Sequence, residues 1–207
     1  MDQCRVTNEL VTWMRLYPWK PKNNVRYDGS RKNPHTPDAE TCGLYIGPKL
    51  KGKGRTVQIA QVDILVEDSE TKTVDLLIEV EPENSPKKIL GAMLPALLAD
   101  HYTPSNLCGI PNQRQIRDAV FLFVTVVLDR DGSQKRLQLE QLEQSIIKKL
   151  DFHTLNVRTI RFCVGTSEGD AIDRCKVAIR ELLHAADGPF DAQSDALRVN
   201  PNGFTGP

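Results

Sequence analysis

Apolar positions recur along this chain with two periods, and the switches between them divide it into elements. In residues 6–17, VTNELVTWMRLY, the side chains Val6, Leu10, Trp13, Met14 and Tyr17 share one helical face. Pro18 and Pro21 end that helix. Residues 18–40 follow neither period and are rich in Pro, Asn, Lys, Arg and Gly, which predicts a long irregular loop. A loop of this length in a compact domain is usually functional or disordered. CGLYIGP (42–48) predicts a short strand, and KLKGKGR (49–55) a basic, glycine-bearing connection. VQIAQVDILV (57–66) and VDLLIEVE (74–81) predict two strands joined at EDSETKT.

Ser85 followed by Pro86 is a helix start, with Ser as N-cap and Pro at the first position. That helix is expected to run from 86 to about 101, kinked or split at Pro95, with residues 103–117 as loop. AVFLFVTVVL (119–128) is an unbroken apolar run, the signature of a strand buried on both faces. Residues 135–150 put Leu139, Leu142, Ile146 and Leu150 on one helical face. VRTIRFCVG (157–165) predicts a strand and DAIDRCKVAIRELLHAA (170–186) an amphipathic helix. The order is helix, three strands, helix, strand, helix, strand, helix. A hairpin followed by alternating strands and helices predicts an α/β fold with a mixed central sheet flanked by helices. Residues 1–186 are read as one domain, and 187–207 as a weakly ordered C-terminal tail.

Composition bounds the function. The 207 residues suffice for one sizeable core, and the 40% apolar and 26% charged fractions are those of an ordinary globular chain. No run reaches the roughly 18 apolar residues of a membrane span. The start, MDQCRVTNELVTWM, lacks a signal-peptide pattern. Five scattered cysteines suggest no disulfide framework, so the expectation is a cytoplasmic protein with reduced thiols. No GxxxxGK[ST] pattern is present, so no nucleotide is expected as partner. Net charge is zero but unevenly spread. Residues 1–60 carry eleven Lys/Arg against five Asp/Glu, whereas residues 61–100 carry three against nine. A basic region beside an acidic one permits a polyanion and a cation to bind side by side. Local charge balance on a solvated surface is the plainer account.

Asp63, Glu79 and Glu81 lie within apolar runs, where a carboxylate is expensive. Alternation puts Val74, Leu76, Ile78 and Val80 on a core face, and Asp75, Leu77, Glu79 and Glu81 on the other. If Val66 pairs with Val74, Asp63 lies opposite Leu77 and diagonal to Glu79, about 7 Å away. Crowded carboxylates repel, and a shared divalent cation removes the conflict. Oxygen-only ligands favour Mg²⁺, for which Mn²⁺ can substitute. The competing account is an exposed sheet face carrying charges for solubility, which Glu67, Asp68, Glu70 and Asp75 fit comfortably.

The succession VDILV (62–66), hairpin, IEVE (78–81) and helix resembles the PD-(D/E)XK nuclease superfamily. The resemblance spans roughly residues 40–165 and implies a restriction-endonuclease-like αβββαβ core. It implies that Asp63 and Glu79 are metal ligands. At the third position, where the family usually has Lys, this chain has Glu81, and the proline expected before Asp63 is missing. Lys87 and Lys88 in SPKKIL are candidates for a displaced catalytic lysine, and Glu81 for holding a second ion or orienting water. Glu9 is a possible accessory acid, with a solvated helix position as its plainer reading.

The function implied is Mg²⁺-dependent hydrolysis of DNA phosphodiester bonds by a restriction-type endonuclease. Duplex DNA is the expected partner. A homodimer would let two single sites cut both strands. Arg26, Arg31, Lys32, Lys49, Lys51, Lys53 and Arg55 are candidate phosphate contacts. The alternative is a nuclease-like domain that has lost catalysis and binds nucleic acid or protein, which the absent lysine at position 81 favours. A third possibility is an unrelated α/β protein with an exposed acidic stripe.

Overall fold

The computed structural model describes residues 1–17, 23–28, 42–47, 57–104, 112–128 and 132–184. Helix α1 (Gln3–Leu16) begins where the Asp2 carboxylate accepts the Arg5 backbone N–H at 3.1 Å. Strands β1 (Asn23–Tyr27), β2 (Cys42–Ile46), β3 (Val57–Val62), β4 (Ile64–Asp68) and β5 (Thr73–Val80) follow. Helix α2 (Pro86–Leu98) starts at the predicted N-cap, with Ser85 accepting from the Lys88 N–H. It runs through Pro95 and ends three residues short of the predicted limit. Next come β6 (His101–Tyr102), β7 (Arg114–Val126), α3 (Gly132–Lys149), β8 (Val157–Gly165) and α4 (Glu168–His184). Among the described residues this is a mixed α/β fold with eight strands in one sheet and four helices. No described helix is long and apolar enough to cross a membrane.

The strand order is β1-β4-β5-β7-β6-β2-β3, with β8 also on β7. β7 is long enough to serve two neighbours along one edge. β6 pairs antiparallel beside Arg114 and Gln115, and β8 pairs parallel along Ala119–Val126. β5 takes the other edge in parallel. Side chains of β7 alternate between two core layers: Ala119, Phe121 and Phe123 on one side, Val120, Leu122 and Val124 on the other. The first layer is closed by Ile89, Met93, Ala96 and Leu97 of α2 and by Leu139 and Ile146 of α3. The second is closed by Val6, Leu10, Val11 and Met14 of α1 and by Ala171, Ile172, Cys175, Ala178 and Ile179 of α4. Both faces of residues 119–127 are therefore covered, as the composition of the run predicts, while its last residue, Leu128, is exposed.

Three expectations require correction. Part of the predicted 18–40 loop is β1, an edge strand pairing with β4 from Asn23↔Asp68 to Tyr27↔Ile64. Its polar sequence, NNVRY, hides it because the two asparagines and Arg26 break the apolar alternation, although Val25 and Tyr27 pack into the core. The predicted 103–117 loop contains the start of β7, whose residues Arg114–Arg117 are too polar to resemble the apolar run they extend. The predicted core face of 74–81 is also split. A register shift between Val74 and Leu76 turns Val74 to the α2/α3 layer, while Leu76, Ile78 and Val80 stay on the α1/α4 layer.

Glu67 is a further correction. It is not a solvated charge but fully buried, at 0% exposure. Its Oε1 accepts Arg26 Nε at 3.0 Å and Arg26 Nη2 at 2.8 Å, and its Oε2 accepts Arg114 Nε at 2.8 Å. The trio ties β1, β4 and β7 together.

β8 passes into α4 through a close backbone approach at Gly165. A Cβ built there would lie 2.2 Å from the Ala171 nitrogen and 2.6 Å from the Ser167 carbonyl oxygen. Backbone cannot yield as a side-chain tip does, so Gly165→Ala is expected to cost about 1–3 kcal/mol. A lowered urea midpoint with unchanged slope would show it, and an unchanged midpoint would show that the turn gives way freely.

Candidate active site

Asp63 stands between β3 and β4, where the chain leaves one set of partners for another. β3 pairs with β2, whereas β4 pairs with β1 and β5. The predicted single strand over 57–66 is thus two strands, interrupted at the acid itself. The Asp63 backbone N–H donates to the Ile78 carbonyl at 3.1 Å, and its carbonyl accepts the Asp28 N–H at 2.8 Å. Its side chain is held as firmly. Oδ2 accepts the Val80 backbone N–H at 2.7 Å, and Oδ1 accepts Gln3 Nε2 at 3.0 Å.

The observed pairing is Ile64↔Ile78, Leu65↔Leu77 and Val66↔Leu76. The assumed pairing of Val66 with Val74 is therefore off by two residues. An even slip keeps every side chain on its face. The register runs out at Ile64↔Ile78, and Asp63 meets β5 on either side of Glu79, through the Ile78 carbonyl and the Val80 N–H. Glu79 continues the face of Leu77, which packs in the α2/α3 layer. Glu81 follows the end of β5. Its N–H donates to the Val124 carbonyl at 3.0 Å, its carbonyl accepts Thr125 Oγ1 at 2.8 Å, and its carboxylate accepts the Glu83 N–H at 3.0 Å.

Burial and mutual repulsion mark these acids. Burial, reinforced by the charges of Asp63, Glu81 and Asp28, pushes the Glu79 carboxyl up to about 9. Burial likewise raises Asp63 to about 6, against the lowering effect of the Val80 and Gln3 hydrogen bonds and with the help of Asp28 and Glu81. Asp28 is a member of this cluster that periodicity does not reveal. It follows β1, is half-buried, and its carboxylate accepts from the Gln61 side-chain amide. The pairing of β1 with β4 brings it beside Asp63, and no local signal in RYDG (26–29) marks that.

The remaining predicted residues fall around this cluster or away from it. Lys87 and Lys88 are exposed in the first turn of α2, and Lys88 Nζ lies 3.6 Å from Glu83. Glu9 pairs with Arg5 at 3.0 Å on the outer side of α1, and Gln3 is the α1 residue that reaches Asp63. Arg26 is committed to Glu67. Arg31, Lys32, Lys49, Lys51, Lys53 and Arg55 lie outside the described residues.

The donor set is all oxygen, the type that Mg²⁺ prefers, and it is crowded enough that a cation would relieve its repulsion. Among the described residues no three His, Cys, Asp or Glu side chains form a ready-made metal ligand set. Mg²⁺ commonly takes only one or two carboxylates and fills its octahedron with water and substrate phosphate, so Asp63 and Glu79 suit it. Comparison with known protein families, curated proteins and solved structures returns no match to this chain.

Proposed function

We propose that this chain is a Mg²⁺-dependent endonuclease of the restriction-endonuclease-like type that hydrolyses DNA phosphodiester bonds. The observation that carries the reading is Asp63. It interrupts a strand run, bonds to β5 on both sides of Glu79, at Ile78 and Val80, and is fixed through both carboxylate oxygens. The succession β4, β5, α2, β7, with β5 and β7 parallel, supports the same reading.

Asp63 and Glu79 would hold the ion. Mg²⁺, when bound, supplies a water of lowered pKa and a counter-charge for the phosphodiester. Glu81, anchored by its backbone to β7, orients the attacking water. Lys87 or Lys88 at the start of α2 stabilises charge developing on the phosphate. Water attacks phosphorus in line, its proton passing to solvent, and the bridging P–O bond breaks; the departing oxygen takes a proton from solvent, leaving a phosphomonoester and a hydroxyl end. Arg31, Lys32, Lys49, Lys51, Lys53 and Arg55 supply phosphate contacts, and a two-fold homodimer places two such sites on one duplex.

The test is nicking of supercoiled plasmid with millimolar Mg²⁺, with Mn²⁺ in its place, and with EDTA. Nicking that needs the metal is the expected result. A second reading, a binding module without catalysis, is favoured by Glu81 at the usual lysine position and by the pairing of Lys88 with Glu83. Folded protein that binds DNA with strong salt dependence but never nicks it would establish that second reading.

A further inference from the structure

We infer that Gln3 is a positioning residue for the proposed metal site, orienting the Asp63 carboxylate while leaving its negative charge available to a cation. The inference rests on the Mg²⁺ reading above. Gln3 is the first residue of α1, half-buried, and its Nε2 lies 3.0 Å from Asp63 Oδ1. The other carboxylate oxygen is taken by the Val80 backbone N–H at 2.7 Å. Two donors on different oxygens fix the plane of the carboxylate, since rotation about its last torsion would break both bonds.

The two donors differ in origin. The Val80 N–H belongs to β5, the strand that carries Glu79, so it ties one ligand to the strand of the other. The Gln3 amide comes from a separate layer. α1 is held over the sheet by Val6, Leu10, Val11 and Met14, and its start is tied to α4 where the Asp2 N–H donates to Glu168 Oε1 at 2.7 Å. The neutral amide is the chemically important choice. Lys or Arg here would satisfy the same oxygen but would also neutralise Asp63 and take the cation's place. An amide orients and leaves each carboxylate oxygen with lone-pair capacity for metal. Partners of this kind behind metal-binding carboxylates typically change affinity by 10–100-fold.

The test is calorimetric titration of Mn²⁺ into the full chain, its Gln3→Met and Gln3→Lys variants, with melting curves in EDTA. Gln3→Met keeps length but donates nothing, and is expected to weaken Mn²⁺ binding by about tenfold with the EDTA melting temperature nearly unchanged. Gln3→Lys is expected to remove binding altogether. If the parent binds Mn²⁺ and Gln3→Met binds it equally well, Gln3 has no positioning role and the metal reading survives. If the parent binds no Mn²⁺, the metal reading and this inference both fall. Equal binding by Gln3→Lys would overturn the claim that the neutral donor matters.

Discussion

Glu79→Gln is expected to be more stable than the parent chain at neutral to alkaline pH and to lose Mg²⁺-dependent cleavage. The Glu79 carboxyl sits at about 9 in the folded state, above its ordinary 4.5, so the folded chain binds more protons than the unfolded chain between those values. The sign follows. Stability is fully present below the unfolded-state value, falls as pH rises through the window, and levels off above about 9. Asp63 adds a smaller loss between its ordinary 3.8 and about 6. Glutamine keeps the shape and removes the titration. At about pH 8 the gain is expected to be on the order of 2–3 kcal/mol, after discounting for residual solvent contact.

Mg²⁺ should reverse the ranking. An ion present at about a thousand times its dissociation constant stabilises the parent by about 4.1 kcal/mol, and the variant that cannot hold it gains nothing. Thermal melts of the two proteins, with and without Mg²⁺ and across pH, measure the crossover. A parent indifferent to Mg²⁺, joined to a Glu79→Gln variant no more stable than it, would show that these acids are neither crowded nor metal-binding. Asp63→Asn is expected to abolish cleavage as well. Its stability gain is smaller, because the amide also gives up part of the Val80 and Gln3 hydrogen bonding.

The second large effect is at Glu67. Glu67→Gln leaves Arg26 and Arg114 facing a neutral amide in a place where the carboxylate is fully buried. Breaking a buried charge group from one side costs about 3–5 kcal/mol, because the remaining charge loses its partner but not its desolvation. For a chain of this length that lowers Tm by roughly 10 °C. The damage should centre on β1, which Arg26 holds to β4. Hydrogen exchange would then show the β1 amides opening first. A loss below about 1 kcal/mol would mean that Arg114, at 14% side-chain exposure, finds water once Glu67 is neutral.

These two acids illustrate what sequence periodicity can and cannot separate. Glu67 and Asp63 are four residues apart in runs of similar character, yet their surroundings differ entirely. Glu67 meets arginines contributed by β1 and β7, so its burial is compensated. Asp63 lies beside Asp28 and Glu81, whose charges oppose its own, and it adds its charge to that on Glu79, so its burial is aggravated. Partners arriving from residues 26, 28 and 114 depend on which strands pair, and no window around residues 63–67 contains that information.

The sequence by itself determined the local elements. The helical faces of α1, α3 and α4, the Ser85 cap of α2, the doubly buried part of β7 from Ala119 on and the limits of β8 all follow from apolar spacing and capping chemistry. It also exposed Asp63, Glu79 and Glu81 as acids out of place in apolar runs. Only the tertiary structure decided the rest. Hydrogen bonds to Ile78 and Val80 set Asp63 beside Glu79, a break between β3 and β4 put that acid at a junction, and pairing with the polar edge strand β1 delivered Asp28. Packing of α1 on the second core layer brought Gln3 across sixty positions of sequence to one carboxylate oxygen. The physical reason is range. Side-chain periodicity reports how one segment divides its own surface between core and water. Register, burial of a charge and the identity of its partner arise from contacts between segments whose sequences carry no mark of one another.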